Sequence, residues 1–244
     1  MTPSCPMVVT TAVDVVRAGM RGLVPPGACF VSLGQNCTTA TYLQRVGKKD
    51  ASYPFDWIFS SPHIIEDCIS NNFEIFLDRD RYIYQDADCA GHSVYHARLF
   101  NHRNVIEPKH YDYYVRCVER FRVLYASDRP IVFVSTAIPE HSRRPGWAKG
   151  FVFAFPAPRN EDLLFEYGSL IERLSRRRGP TSLVLMEQRT NMACAQVQRI
   201  ETRDNVLAIR FAARGASDGV RYLDPLDDAL AQAVYAEITR PDML

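Results

Sequence analysis

The amino-acid sequence predicts an α/β protein with a mainly parallel central sheet flanked by helices in a Rossmann-like three-layer arrangement, and with a small β-hairpin insertion. Short apolar runs alternate with amphipathic helical segments in the second half of the chain. This alternation is typical of a parallel sheet whose two faces are both covered by helices. Another apolar run, at residues 28–33, lies between Pro25-Pro-Gly and Gly34 and is expected to be a buried strand.

Residues 1–27 are predicted to form an N-terminal leader with a short helix, and residues 28–244 a single α/β domain. The helix is expected over about residues 11–20, and the leader ends at Pro25-Pro26-Gly27. The leader has no basic region followed by an unbroken apolar core, so we expect no signal peptide. No apolar run approaches the roughly 20 residues that a membrane-spanning helix needs.

Hydrophobic periodicity and turn residues predict the other elements. The first half of the chain is predicted to contain a helix at 37–46 that ends at Gly47, a helix that begins at Ser60-Ser-Pro-His63, a hairpin of strands 81–84 and 93–100 joined through Cys89-Ala-Gly91, and a helix at 111–125. The second half is predicted to contain a strand at 131–134, a helix at 161–174, strands at 182–186 and 206–209, and a helix at 227–238. The apolar segment 151–155 is either an extra strand or a loop over the site. The three later strands are expected to lie parallel to the strand at 30–33.

The composition argues against several classes of partner. The 244 residues are 47% hydrophobic and carry a formal net charge of +1, which disfavours a nucleic acid or an acidic membrane surface. The seven cysteines are scattered, without a Cys-x-x-Cys pair, which indicates reduced thiols in the cytoplasm. The sequence does not indicate an oligomeric state.

We expect no cofactor and no metal. The turn at Gly34 lacks the complete dinucleotide-binding fingerprint and a Walker lysine. His92 and His96 are four residues apart in a predicted strand, which separates them by about 13 Å along one face. No set of three or four ligands has the spacing of a zinc site.

The first turn of the helix at 37–46 carries the most distinctive candidate, Cys37. A helix N-terminus offers unpaired N–H groups and a positive dipole end, both of which lower the pKa of a thiol and favour a reactive thiolate. The polar residues Gln35 and Asn36 beside it indicate a site facing a cleft. Two other interpretations stay open: Cys37 as a small core residue, and the Gly34 turn as a cradle for phosphate.

Acyl transfer by a thiol needs a base, a group that orients the base, and donors for the oxyanion. The base is expected among the histidines of residues 92–102, with Asp56 as the orienting group and the Cys37 N–H with the Gln35 or Asn36 side chain as donors. Asp56 lies between two large aromatic residues, so it needs a partner. We expect that partner to be one of these histidines or the amides of the 34–37 turn; the alternative is a structural Asp that caps a turn.

Three blocks of sequence carry a resemblance to a known family. They are Ser32-Leu-Gly34 with Cys37, Ala40 and Leu43; Ser52-Tyr-Pro-Phe-Asp-Trp57; and Phe100-Asn-His102. Over about residues 30–124 the chain resembles a family of uncharacterised bacterial proteins described as papain-like cysteine peptidases. The resemblance implies Cys37 as nucleophile, His102 as base, and Asp56 or a later Asp or Asn in the third role. It also implies a papain-like α+β fold as the alternative architecture.

The sequence therefore predicts a cysteine-dependent hydrolase or acyl transferase that acts on an amide or thioester in a small-molecule or peptide substrate. The residues expected to bind the substrate are Gly34, Gln35, Asn36, Trp57 and His92. The alternative is a Rossmann-like binding or transferase domain for a nucleotide-sugar or phosphorylated ligand, in which Cys37 is structural. A non-catalytic scaffold is the third reading of the same residues.

Overall fold

The computed structural model describes residues 5–138 and 162–240. The strands are β1 (Cys29–Ser32), β2 (Tyr82–Asp86), β3 (Cys89–His92), β4 (Ile131–Ala137), β5 (Thr181–Arg189), β6 (Gln196–Arg203) and β7 (Val206–Ala212). The helices are α1 (Cys5–Met20), α2 (Thr38–Arg45), α3 (Pro62–Ser70), α4 (Pro108–Ala126), α5 (Leu163–Glu166), α6 (Gly168–Ser175) and α7 (Pro225–Ile238).

Five strands form the central sheet, in the order β1-β4-β5-β7-β6. The first four are parallel, with Cys29 opposite Ile131, Ile131 opposite Thr181, and Leu183 opposite Val206. Strand β6 closes the edge antiparallel to β7. The prediction that the three later strands lie parallel to the first is confirmed.

Both faces of the sheet are buried, each in its own hydrophobic cluster. One cluster joins alternate strand residues such as Val31, Phe133 and Leu185 to α3, α4 and α6. The other joins the intervening residues, such as Val132, to α1, α2 and α7. A mainly parallel sheet flanked by helices, as the apolar runs predict, is therefore confirmed.

The helix expected within residues 1–27 is α1, and it begins at Cys5 rather than near residue 11. Its residues Ala12, Val16 and Met20 are buried in the cluster that also contains α7. None of the helices in the described ranges has the length and apolar character required to cross a membrane. The boundary between leader and domain at residue 28 stays a prediction.

The β-hairpin is present, but its predicted second strand is wrong. The observed second strand is β3 (Cys89–His92) rather than residues 93–100, and it includes Cys89-Ala-Gly91, which was expected to form the turn. Asp86 closes the hairpin earlier, because its Oδ1 accepts a hydrogen bond from the Asp88 N–H at 3.0 Å. The chain then folds back so closely that a Cβ at Gly91 would lie 2.2 Å from the Ala97 oxygen. Only glycine permits this approach.

Two further differences concern the second half. The antiparallel strand β6 is absent from the prediction, because most of its residues are exposed and polar. The helix expected at 161–174 is divided into α5 and α6 at Tyr167. The apolar segment 151–155 and residue 161 lie outside the described residues.

Candidate active site

The site is built on the turn that joins β1 to α2 at the carboxyl end of the sheet. Residue 34 must be glycine, because a Cβ there would lie 2.7 Å from the Asn36 oxygen. The Gly34 carbonyl accepts a hydrogen bond from Ser60 Oγ at 2.6 Å, and the Ser60 N–H donates to the Gln35 carbonyl at 3.1 Å. These bonds fix the turn against the segment that precedes α3. Cys37 is the N-cap residue of α2, as the sequence predicts.

The turn places Cys37 against a histidine. Its Sγ lies 3.1 Å from Nε2 of His102. Cys37 is buried, with 4% of its surface exposed, whereas His102 lies at the surface of the protein. The loop that carries His102 is anchored by Phe100, which is fully buried and pairs through its backbone with Ala90 on β3. Of the three histidines between residues 92 and 102, His102 is the one that the structure brings to Cys37.

Burial determines the protonation of this pair. It raises the pKa of the Cys37 thiol to about 12, and the charges of Asp56 and Asp218 add to the rise. The His102 residue is exposed overall, but its ring is partly desolvated, which lowers the pKa of His102, and the positive charge of Arg103 lowers it further. The expectation that the helix N-terminus lowers the thiol pKa is therefore wrong, because the loss of hydration outweighs the dipole. A neutral thiol faces a neutral imidazole at pH 7.

Asp56 is fully buried, as expected, but the prediction of its partner is wrong. Its Oδ2 accepts a hydrogen bond from the Tyr53 N–H at 2.7 Å and another from the ammonium group of Lys49. It makes no hydrogen bond to His102 or to the 34–37 turn in the described part of the chain. Burial raises the pKa of Asp56 to about 6, opposed by Lys49. The carboxylate thus holds the turn at residues 53–56.

Gln35 and Asn36 differ in which of their polar atoms remain free. Gln35 Oε1 accepts a hydrogen bond from the Ile138 N–H at 2.8 Å, and its Nε2 donates to the Tyr167 hydroxyl at 3.4 Å. Asn36 Oδ1 accepts from the Thr38 N–H at 3.0 Å. Asn36 Nδ2 is buried and has no hydrogen-bond partner among the described residues. Both N–H groups of Asn36 Nδ2 are therefore unused there, whereas Gln35 Nε2 already donates one of its two N–H groups to Tyr167.

The other two residues expected to bind substrate have structural contacts. The ring of Trp57 lies 6.0 Å from the Lys49 ammonium nitrogen. His92 is buried; its Nε2 lies 3.0 Å from the Ile75 carbonyl oxygen, and its Nδ1 accepts a hydrogen bond from the Val94 N–H. Neither residue makes a hydrogen bond to Cys37 or His102 among the described residues.

Sequence reasoning missed two residues near the pair. Arg103 follows His102 directly, and the charge effect on the His102 pKa shows that it is close. Tyr114 on α4 is 1% exposed and lies close enough to Cys37 for a charge there to raise the Tyr114 pKa, and its hydroxyl has no partner among the described residues. The periodicity of α4 marks Tyr114 only as a core residue, so its unpaired hydroxyl gives no signal in the sequence. Within residues 5–138 and 162–240, no three His, Cys, Asp or Glu side chains could together hold a metal ion.

Comparison with known proteins supports the resemblance noted in the sequence. The model of a family described as "Putative papain-like cysteine peptidase (DUF1796)" matches residues 28–145, just under half of the chain. The matched range includes Cys37, Asp56 and His102. No curated protein and no solved structure is significantly similar to the chain.

Proposed function

We propose that the protein is a cysteine-dependent hydrolase or acyl transferase that acts on an amide or thioester. The observation that carries this proposal is the 3.1 Å separation of Cys37 Sγ and His102 Nε2. Such a distance allows direct proton transfer from a thiol to an imidazole. The match of residues 28–145 to the peptidase family favours the same chemistry.

In the proposed reaction, Cys37 Sγ forms a bond to the substrate carbonyl carbon while its proton passes to His102 Nε2. The tetrahedral intermediate collapses when the bond from carbon to the leaving nitrogen or sulfur breaks, and His102 returns the proton to that atom. The acyl group is then a thioester of Cys37. Water or an acceptor nucleophile attacks this thioester with His102 again as the base, which restores the thiol.

Two donors are assigned to the oxyanion of the intermediate. One is the backbone N–H of Cys37, since the first N–H groups of a helix have no partner within the helix. The other is Asn36 Nδ2, which is buried and without a hydrogen-bond partner. Donors of this kind stabilise the transition state most when they are already in place and shielded from water.

The position of the pair also bears on the architecture. Cys37 follows the carboxyl end of β1 in a parallel sheet, the edge at which open α/β sheets bind their ligands. We infer from this that the fold is Rossmann-like rather than papain-like, with the cysteine chemistry placed on the turn after β1.

The test uses a panel of chromogenic amides and thioesters with the purified chain. Cys37→Ala is expected to abolish turnover and the trapped acyl-enzyme that mass spectrometry detects in the wild type. His102→Gln should lower the rate by about 10²–10⁴-fold, the usual contribution of a positioned base.

His110→Gln is the matched control, because His110 is a half-buried histidine whose Nδ1 lies 3.0 Å from the Asn104 carbonyl oxygen, outside the pair. Its rate should equal that of the wild type. Acylation of another residue, or turnover that survives Cys37→Ala, would rule out the proposed mechanism.

A further inference from the structure

Arg103, the residue after His102, carries a positive charge that lies close enough to the Cys37–His102 pair to lower the pKa of His102. Its guanidinium carbon lies 4.1 Å from the centre of the Tyr113 ring, so the ring fixes the side chain from one side. Its Nε is buried and makes no hydrogen bond. No carboxylate of the described residues forms an ion pair with it. A buried guanidinium N–H without a partner is costly, so this arrangement needs an explanation.

The carboxylates near the pair already have partners of their own. Asp56 accepts its hydrogen bond from Lys49. Asp218, which raises the pKa of Cys37, lies 3.9 Å from Arg221 Nε. Neither neutralises Arg103. An anion that entered the site could therefore pair with Arg103 without displacing a carboxylate of the described residues.

The geometry of a guanidinium group indicates what that anion is. Its planar fork of N–H groups matches the two oxygens of a carboxylate, and such bonds are among the strongest in proteins. Arg103 directly follows the base that serves the nucleophile, its charge acts on the pKa of that base, and both Arg103 and Cys37 lie close enough to Tyr114 for their charges to act on its pKa. The anion would therefore lie close to the carbon that Cys37 attacks.

We propose that Arg103 binds a carboxylate of the substrate close to the reacting carbonyl, so that the enzyme selects acidic amides or thioesters. This inference rests on the proposed function, because it assigns the substrate class of the same site. The carboxylate has two sources in a peptide, an acidic side chain or the chain terminus.

The test compares the rates at which iodoacetate and iodoacetamide alkylate Cys37, measured by peptide mass mapping. The two reagents deliver the same reactive carbon with and without a carboxylate. Replacing Arg103 by Gln should lower the ratio of the iodoacetate rate to the iodoacetamide rate about tenfold, the loss of one charge-assisted hydrogen bond. Because His102 is present in both the wild type and Arg103→Gln, its own effect on the ratio cancels when the two proteins are compared.

Two further variants make the comparison specific. Arg103→Lys keeps the charge but loses the planar fork, so its ratio should lie between those of the wild type and Arg103→Gln, and a ratio above that of Arg103→Gln guards against an effect of misfolding. Arg79→Gln is the matched control, because Arg79 also stacks on a tyrosine, 4.9 Å from the centre of the Tyr111 ring. It should leave the ratio unchanged.

Substrates then separate the two sources of the carboxylate. A preference for Asp or Glu over Asn or Gln that disappears in Arg103→Gln assigns the side chain, and a preference for a free over an amidated terminus assigns the terminus. An alkylation ratio within about twofold of the wild type in Arg103→Gln overturns the inference but leaves the proposed function intact. If neither reagent modifies Cys37 in the wild type, the proposed function fails and the inference with it.

Discussion

At pH 7 the Cys37 thiol and the His102 imidazole are expected to be neutral, and the size of this preference follows from the structure. The thiol pKa of about 12 exceeds the ordinary imidazole value of 6.5, itself lowered here, by at least about 5.5 pH units. Proton transfer before substrate binds thus costs at least about 7 kcal/mol. Attraction between the charges at 3.1 Å offsets about 5 kcal/mol at an effective dielectric constant near 20. The neutral pair is favoured by about 2 kcal/mol, which leaves an ion pair of a few per cent.

The assay is a pH titration of the ultraviolet absorbance of the thiolate, as the difference between the wild type and Cys37→Ala. At neutral pH the difference should be a few per cent of that of a full thiolate. The alkylation rate of Cys37 should rise as His102 loses its proton below pH 6.5 and then stay level through neutral pH, because the neutral imidazole is the base.

In His102→Gln this step should disappear, and the rate should instead increase tenfold per pH unit as the thiol itself ionises. A full thiolate signal at pH 7, or a wild-type rate that stays level down to pH 4, would refute the reasoning from burial. Either result would mean that the pair is a preformed ion pair like those of cysteines with strongly lowered pKa values.

Two other substitutions test buried polar side chains, one in the turn at residues 53–56 and one on β5. Asp56 has a pKa of about 6 against an ordinary 3.8, so wild-type stability should fall by up to about 3 kcal/mol as the pH rises from about 4 to 7. Asp56→Asn should lack this fall in urea denaturation, and equal slopes in both proteins would contradict it. Gln188, near the end of β5, is 0% exposed, and neither of its side-chain polar atoms has a hydrogen-bond partner within residues 5–138 and 162–240. Gln188→Met should raise the melting temperature, since an unpaired buried polar group costs about 1–3 kcal/mol; a lower melting temperature would contradict this.

The parallel strands of the sheet were predictable from the sequence because each contains an unbroken apolar run of at least three residues, as in Ile131–Val134, and because these runs alternate with helices of clear period. Strand β6 lacks that signature, since an edge strand buries few side chains and its polar residues face water. The prediction of the hairpin's second strand failed for a different reason. The close approach of residue 97 to Gly91 is a tertiary contact, and no local pattern records it.

In the site, the sequence predicted the location of Cys37 at the start of a helix, and the family resemblance selected His102. The direction in which the thiol pKa shifts was not predictable, because it depends on how deeply the folded chain buries Cys37. Asp56 illustrates the same limit. Its aromatic neighbours predict burial, but its partner, Lys49, could be recognised only from the conformation of the loop between the two residues.

The comparison of Cys37 with Cys68 indicates where the reactivity of the site originates. Both thiols are buried, and burial raises the pKa of both. Neither is therefore activated by its own ionisation. They differ in that an imidazole reaches Cys37, whereas the groups that act on Cys68 are Tyr95 and Asp67. In the proposed reaction, attack by Cys37 would therefore depend on proton transfer to His102 at the moment of attack, and the resting thiol would stay unreactive toward molecules that the site does not hold in place.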